Sequence, residues 1–196
     1  KLLYKYPLNS RSIIFDIGGY QGQWTQDLLD ECRIECEYCG SRVDPHVHIF
    51  EPIREHYHFC IERFKEYPRV KVWNFGLSGT DYEADITVDE AASCLYGPCP
   101  WRSNGPKEKQ HVIIRDIDKF MQEQKIDKID LISCNIEGEE YDLLRRMGPT
   151  GILSRTQYIQ VQFHDFMPSA VERRVECIAK LSETHKSRFS YPFVWE

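Results

Sequence analysis

Short runs of consecutive apolar residues alternate along this chain with stretches whose apolar positions recur every three or four residues. That alternation predicts strand–helix–strand units and a mostly parallel sheet, because parallel strands are covered on both faces and helices return the chain between them. The first run, 12–17 (SIIFDI), predicts a buried strand, and Trp24, Leu28 and Leu29 predict a helix over 23–32. A second strand is expected over 46–51 (HVHIFE), then a helix over 55–66 with Tyr57, Ile61 and Phe64 on one face. A third strand follows at 70–76 (VKVWNFG). The rhythm then breaks. Residues 81–110 show no helical period and crowd glycines and prolines between Gly97 and Pro106, which predicts an irregular loop or lid insertion. Order resumes with a strand at 111–115, a helix over 117–124 that Asp116 can cap, and a strand over 129–135 (IDLISCN). A helix over 137–147, a strand over 156–163, a helix over 168–185 with Pro168 near its first turn, and a strand over 188–195 complete the pattern. The expected fold is α/β: one open, mainly parallel sheet flanked by helices, in a single domain covering residues 1–196.

Composition narrows the function classes. The 196 residues carry a formal net charge of −6, which argues against a nucleic-acid partner. No apolar run approaches the roughly 18 residues of a membrane span. The chain starts at Lys1, not Met, with no signal-like segment after it, so it reads as a trimmed or excised domain whose native N-terminus is not visible; a cytoplasmic location is expected with its thiols reduced. Eight cysteines are too sparse for a disulfide scaffold. Cys32, Cys36 and Cys39 nevertheless have a CxxxCxxC spacing that suits zinc or an iron–sulfur cluster, with Cys94, Cys99, His46 or His48 as a further ligand. The plainer reading is three reduced thiols in a surface connection.

In open parallel sheets ligands bind beyond the carboxyl ends of the strands, so those ends are where chemistry is expected. The first carries Asp16, Gly18, Gly19 and Gly22: glycines admit a ligand close to the backbone, and Asp16 suits an ammonium group. The order is not the dinucleotide fingerprint, and a tight turn with a helix cap would use the same residues. Glu51 closes the second strand, 35 positions after Asp16, where it can accept hydrogen bonds from a ribose diol. A nucleoside and an amino acid on one molecule point to S-adenosylmethionine (SAM). Asn135 and Glu137 close a later strand, and His164 and Asp165 another; these suit binding of a substrate hydroxyl and removal of its proton. His164 as an ordinary edge residue is the alternative. Glu137 and His164 in one pocket would also admit a divalent metal, although two or three such ligands are no signature of one. Glu139, Glu140 and Asp142 read as acids complementing a helix dipole.

In order along the chain, these segments resemble the FkbM family of SAM-dependent methyltransferases. Phe15-Asp16-Ile17-Gly18 through Gly22 looks like the family's F-D-[IV]-G-x-x-x-G, and Phe50-Glu51-Pro52 like its F-E-P. Asn74-Phe75-Gly76-Leu77-Ser78 is similar to its third-strand A-L-S region near the adenine, and Ile117-Asp118-Lys119-Phe120 to its L-D-x-F. Residues 133–140 (SCNIEGEE) resemble K-I-D-x-E-G-x-E, and Gln162-Phe163-His164 its E-x-H. The resemblance implies a class I, Rossmann-like methyltransferase fold and O-methylation of a sugar, glycan or natural-product hydroxyl, with S-adenosylhomocysteine (SAH) as product. It places Asp16, Gly18, Gly19, Gly22, Glu51, Gly76, Leu77, Ser78 and Asn135 on the cofactor. Three departures stand out: Ser133 replaces Lys, Asn135 replaces Asp and Gln162 replaces Glu. An amide at 135 cannot take a proton, so a base must be Glu137 or His164, with neutral His164 preferred; otherwise proximity alone drives transfer. Tyr96, Trp101 and Arg102 in the 81–110 insertion are candidate acceptor contacts. A SAM-binding module without catalysis is the further alternative.

Overall fold

The computed structural model describes residues 4–33, 43–88 and 109–191. Its main sheet has five parallel strands in the order β3-β2-β1-β7-β8, formed by β3 (Val70–Trp73), β2 (His46–Phe50), β1 (Ile13–Ile17), β7 (Ile129–Cys134) and β8 (Thr156–Val161). Burial explains which runs the sequence makes obvious. β1 and β7 are central and covered on both faces, so they are apolar almost throughout, whereas edge strands β3 and β8 are only partly buried.

Alternate side chains of β1 serve opposite layers. Ile14 joins Val47, Ile49, Leu131 and residues of helices α1 (Gln23–Arg33) and α2 (Arg54–Arg63). Phe15 and Ile17 face the layer of α3 (Ile117–Glu123), α4 (Glu140–Met147) and α5 (Ala170–Ser182). Helices therefore cover both faces, as the alternation predicts. Asp116 caps α3, accepting the backbone N–H groups of Asp118 and Lys119 at 2.8 and 3.4 Å.

Several expectations need correction. The third strand is not continuous: it breaks at Asn74, whose side-chain amide donates to the carbonyls of Glu51 and Pro52. The chain then restarts as β4 (Gly76–Ser78) in a second, three-stranded sheet of order β4-β6-β5, so there is not one sheet but two. Part of the expected irregular stretch is strand β5 (Tyr82–Thr87), antiparallel to β6 (Lys109–Asp116). Its alternation, with Tyr82, Ala84 and Ile86 inward and Glu83 and Asp85 outward, is a half-buried strand pattern. Helix α4 starts at Glu140 rather than 137, because Glu137 (φ 51°) and Gly138 (φ 113°) are left-handed. Residues 188–191 form no strand; the remainder of that expected strand lies outside the described residues.

Candidate functional site

The chain leaves β1 toward β2 on one side and returns to β7 on the other, so the carboxyl ends of β1, β2 and β7 flank the point where strand order reverses. A cleft of about 770 Å³, counting its open mouth, lies there. Gly18, Tyr20, Glu51, Asn135, Glu137 and Glu139 line its polar side, and Ile53, Leu77, Ile86 and Ile114 line an apolar side together with Gly76. The end of β6 is fastened to its rim: Gln110 accepts from the Arg54 N–H and donates to the Pro52 carbonyl.

Gly18 is required by close approach as well as by backbone. Its φ is +85°, and a Cβ there would lie 2.0 Å from the Asn135 carbonyl oxygen. Its N–H and that of Gly19 both donate to the Phe50 carbonyl, which pins the loop across β2. Gly19 and Gly22 do not line the cleft. The space a Cβ would need is occupied by Ile49 at one and Phe64 at the other, so both glycines seat the loop on the protein itself. Asp16 is likewise placed differently from expectation. It is 2% exposed and accepts the Thr25 hydroxyl at 2.6 Å, so its carboxylate ties the strand to α1 and does not line the cleft. Burial raises its pKa to about 6, with the Thr25 hydrogen bond opposing.

Glu51 does line the cleft. One carboxylate oxygen accepts the Tyr20 N–H and the other the Ile53 N–H, each at 2.8 Å. Burial raises its pKa to about 7, the two backbone bonds opposing. His56, on α2, was not singled out by sequence; its Nδ1 lies 3.9 Å from Glu51 and its ring meets Tyr20 edge-on at 4.4 Å. No motif marks it, because it reaches the cleft only through the helix packing.

Asn135 is exposed at the end of β7, and Glu137 lines the cleft beyond it. His164 lies behind Glu137 rather than in the cleft: its Nε2 is 3.5 Å from Glu137 Oε1 and its Nδ1 is 3.2 Å from Glu140 Oε1. Burial alone would lower its pKa, but hydrogen bonds to Glu137 and Glu140 outweigh it and raise the value to about 9. The two carboxylates thus favour the protonated ring, against the neutral His164 that its ordinary pKa would leave at pH 7. Glu140 is fully buried on His164 and Gly138, and Glu139 accepts the Ser78 hydroxyl at 2.6 Å; neither is a mere dipole complement. Ser78 is drawn to Glu139 and does not line the cleft, unlike Gly76 and Leu77. Asp165 is exposed, paired with Arg174 of α5 at 3.0 Å, and also off the cleft.

Among the described residues no group of three or more His, Cys, Asp or Glu side chains could hold a metal ion. Cys32 is a free, partly buried thiol whose pKa burial raises to about 11. Cys36, Cys39, Cys94 and Cys99, and the acceptor candidates Tyr96, Trp101 and Arg102, lie outside the described residues. No helix among those described is long and apolar enough to cross a membrane.

Residues 16–187 match the family model of the methyltransferase FkbM domain. The structure is similar to the FkbM methyltransferase of Methylobacillus flagellatus KT, with a TM-score of 0.56 at 14% identity. That overlap covers 90% of this chain and 38% of that one, and the likeness is one of fold. The precorrin-6y C5,15-methyltransferase of Geobacter metallireducens GS-15 overlaps more loosely, at a TM-score of 0.46 and 8% identity over 90% of this chain and 65% of that one. No curated protein matches the chain.

Proposed function

Because the chain belongs to the FkbM methyltransferase domain family, we propose that it is a SAM-dependent O-methyltransferase working as one cytoplasmic domain over residues 1–196. Its acceptor is a hydroxyl of a sugar, glycan or natural product. The observation that carries this reading is the convergence of Gly18, Glu51, Asn135 and Glu137 on one cleft from the ends of three neighbouring strands.

The donor set fits the cofactor. A nucleoside needs an acceptor for its diol and an apolar surface for its base. Glu51 supplies the first, and Ile53, Leu77, Ile86 and Ile114 supply the second, with Gly76 keeping that wall low. Bound there, SAM would supply an electrophilic methyl group. Gly18 lets the ligand approach the backbone, and the exposed Asn135 amide can donate and accept near the polar end but takes no proton. Asp16, Gly19, Gly22 and Ser78 act one layer back, shaping the loop and the wall. Glu137 is the proton acceptor: its carboxylate, lining the cleft, would take the proton of the acceptor hydroxyl as that oxygen gains the methyl group. His164, as imidazolium, keeps that carboxylate in place.

Calorimetric titration of SAM and, separately, NADH into the protein and into Glu51→Ala tests the reading. Micromolar SAM binding that the substitution weakens at least tenfold, with no NADH binding, is expected. No SAM binding refutes it. The replacement of the family's Asp by Asn135 favours one second reading, a SAM-binding module without catalysis; it requires SAM binding with no methyl transfer to any hydroxyl acceptor.

A further inference from the structure

His164 is fixed on every polar side. Its backbone N–H donates to Glu140 Oε1 at 2.7 Å, its Nδ1 lies 3.2 Å from the same oxygen, and its carbonyl accepts the Tyr141 hydroxyl at 2.8 Å. Nε2 then faces Glu137 Oε1 at 3.5 Å. The other oxygen of Glu140 accepts the Gly138 N–H at 2.8 Å. Glu140, with no exposed surface, thus grips both the turn that carries Glu137 and the ring that faces it. That turn needs gripping. Glu137 is a non-glycine residue at φ 51°, a conformation that persists only where its surroundings impose it.

We propose that Glu140 is a positioning residue: it aims Glu137 into the cleft, acting through Gly138 on one side and through His164 on the other. This rests on Glu137 being the proton acceptor. The groups around the imidazole fit the assignment. Glu137 and Glu140 face its two nitrogens and the Phe166 ring packs at 5.6 Å; the Gln162 side-chain amide, just beyond β8, also lies 3.4 Å from Nε2, where a protonated ring takes the amide oxygen and a neutral one the NH2. Asp165 is engaged with Arg174, and Arg173 of α5 lies over the Tyr141 ring.

Glu140→Gln keeps the shape and removes the charge, and three measurements on the full chain decide the matter. Calorimetry with SAH should give an affinity within about threefold of wild type, since Glu140 touches no part of the cleft. The NMR titration midpoint of the His164 ring should fall by about one pH unit or more. Transfer of labelled methyl from SAM to a panel of methyl glycosides should lose about tenfold or more in kcat with little change in KM, and Glu140→Asp should recover part of it. An unchanged ring titration together with unchanged kcat overturns the proposal. Should Glu140→Gln not fold, Glu140→Asp supplies the same comparison, and a ring titration and kcat both unchanged in it overturn the proposal. Should the wild type bind SAH yet methylate nothing, Glu137 as proton acceptor is what fails; the ring titration still decides the grip of Glu140 on the turn.

Discussion

Gly18→Ala adds one methyl group where the loop after β1 passes the end of β7, and Gly151→Ala adds the same group where nothing is near. Both glycines are left-handed, at φ +85° and +73°. Both substitutions therefore carry the left-handed penalty of an L-residue, about 1 kcal/mol. At position 151 little else is lost, since the nearest atom to the new carbon is the Ser154 hydroxyl at 3.9 Å. At position 18 the new carbon would stand 2.0 Å from a backbone oxygen, that of Asn135, which cannot rotate away. The loop must lift, giving up the Gly18 N–H bond to Phe50 and straining the Asn135 N–H bond to Ile17, both 3.0 Å in length. At about 1 kcal/mol for each bond, Gly18→Ala should cost about 3 kcal/mol in all. For a chain of this size each kcal/mol moves Tm by roughly 2–4 °C, so the two variants should melt about 4–8 °C apart. Calorimetric melting of both measures this, and SAH titration should show affinity lost at position 18 and kept at position 151. Equal melting temperatures would refute the close approach as the reason for glycine at position 18.

The pH dependence of stability and the surface pair at Asp165 give two more tests. Glu51 is raised from 4.5 to about 7, chiefly by burial, and His164 from 6.5 to about 9, its carboxylate partners outweighing burial. Each binds its proton more tightly when folded, so each contribution is complete below the lower value and lost as pH rises through the higher one. Urea denaturation should therefore show stability falling between pH 6.5 and 9 by on the order of 3 kcal/mol, and His164→Gln should remove most of that fall; a flat wild-type profile contradicts the assignment. Asp165→Ala breaks an exposed ion pair with Arg174 and should change stability by less than about 1 kcal/mol. A tenfold loss of methyl transfer in that variant would return Asp165 to the site.

What the sequence makes legible follows burial. β1, β2 and β7 announce themselves because both faces are covered: every residue but the first of β1 and of β2 is buried, and each strand carries a short apolar run. β5 does not, because only Ile86 of its six residues is fully buried and the glycines and prolines beyond it dominate any window that includes it. The break at Asn74 is invisible for another reason: the residue's amide reaches two carbonyls, Glu51 and Pro52, that lie more than 20 positions away. Glu51, Gly18 and Asn135 were readable as cleft residues because strand ends in a parallel sheet have only one place to go.

The run Glu139-Glu140-Tyr141-Asp142 shows where such reading stops. As a pattern it is an acidic first turn, and each acid does sit near the start of α4. Their partners differ and all lie outside the helix's first turn: Ser78 for Glu139, Gly138 and His164 for Glu140, Arg145 and Arg173 for Asp142. The left-handed turn at Glu137 and Gly138 separates Glu137 from this group and swings it to the cleft, so residues three apart in sequence meet the two nitrogens of one imidazole. That meeting reverses the role a free histidine would have. Under the proposed function the reversal is useful. His164, wedged between Glu137 and Glu140, holds a carboxylate at the Glu137 end of the cleft, where a cationic cofactor and then a hydroxyl proton must be received. With an amide at 135, the carboxylate at this end of the cleft comes from Glu137 on the left-handed turn rather than from the strand end itself.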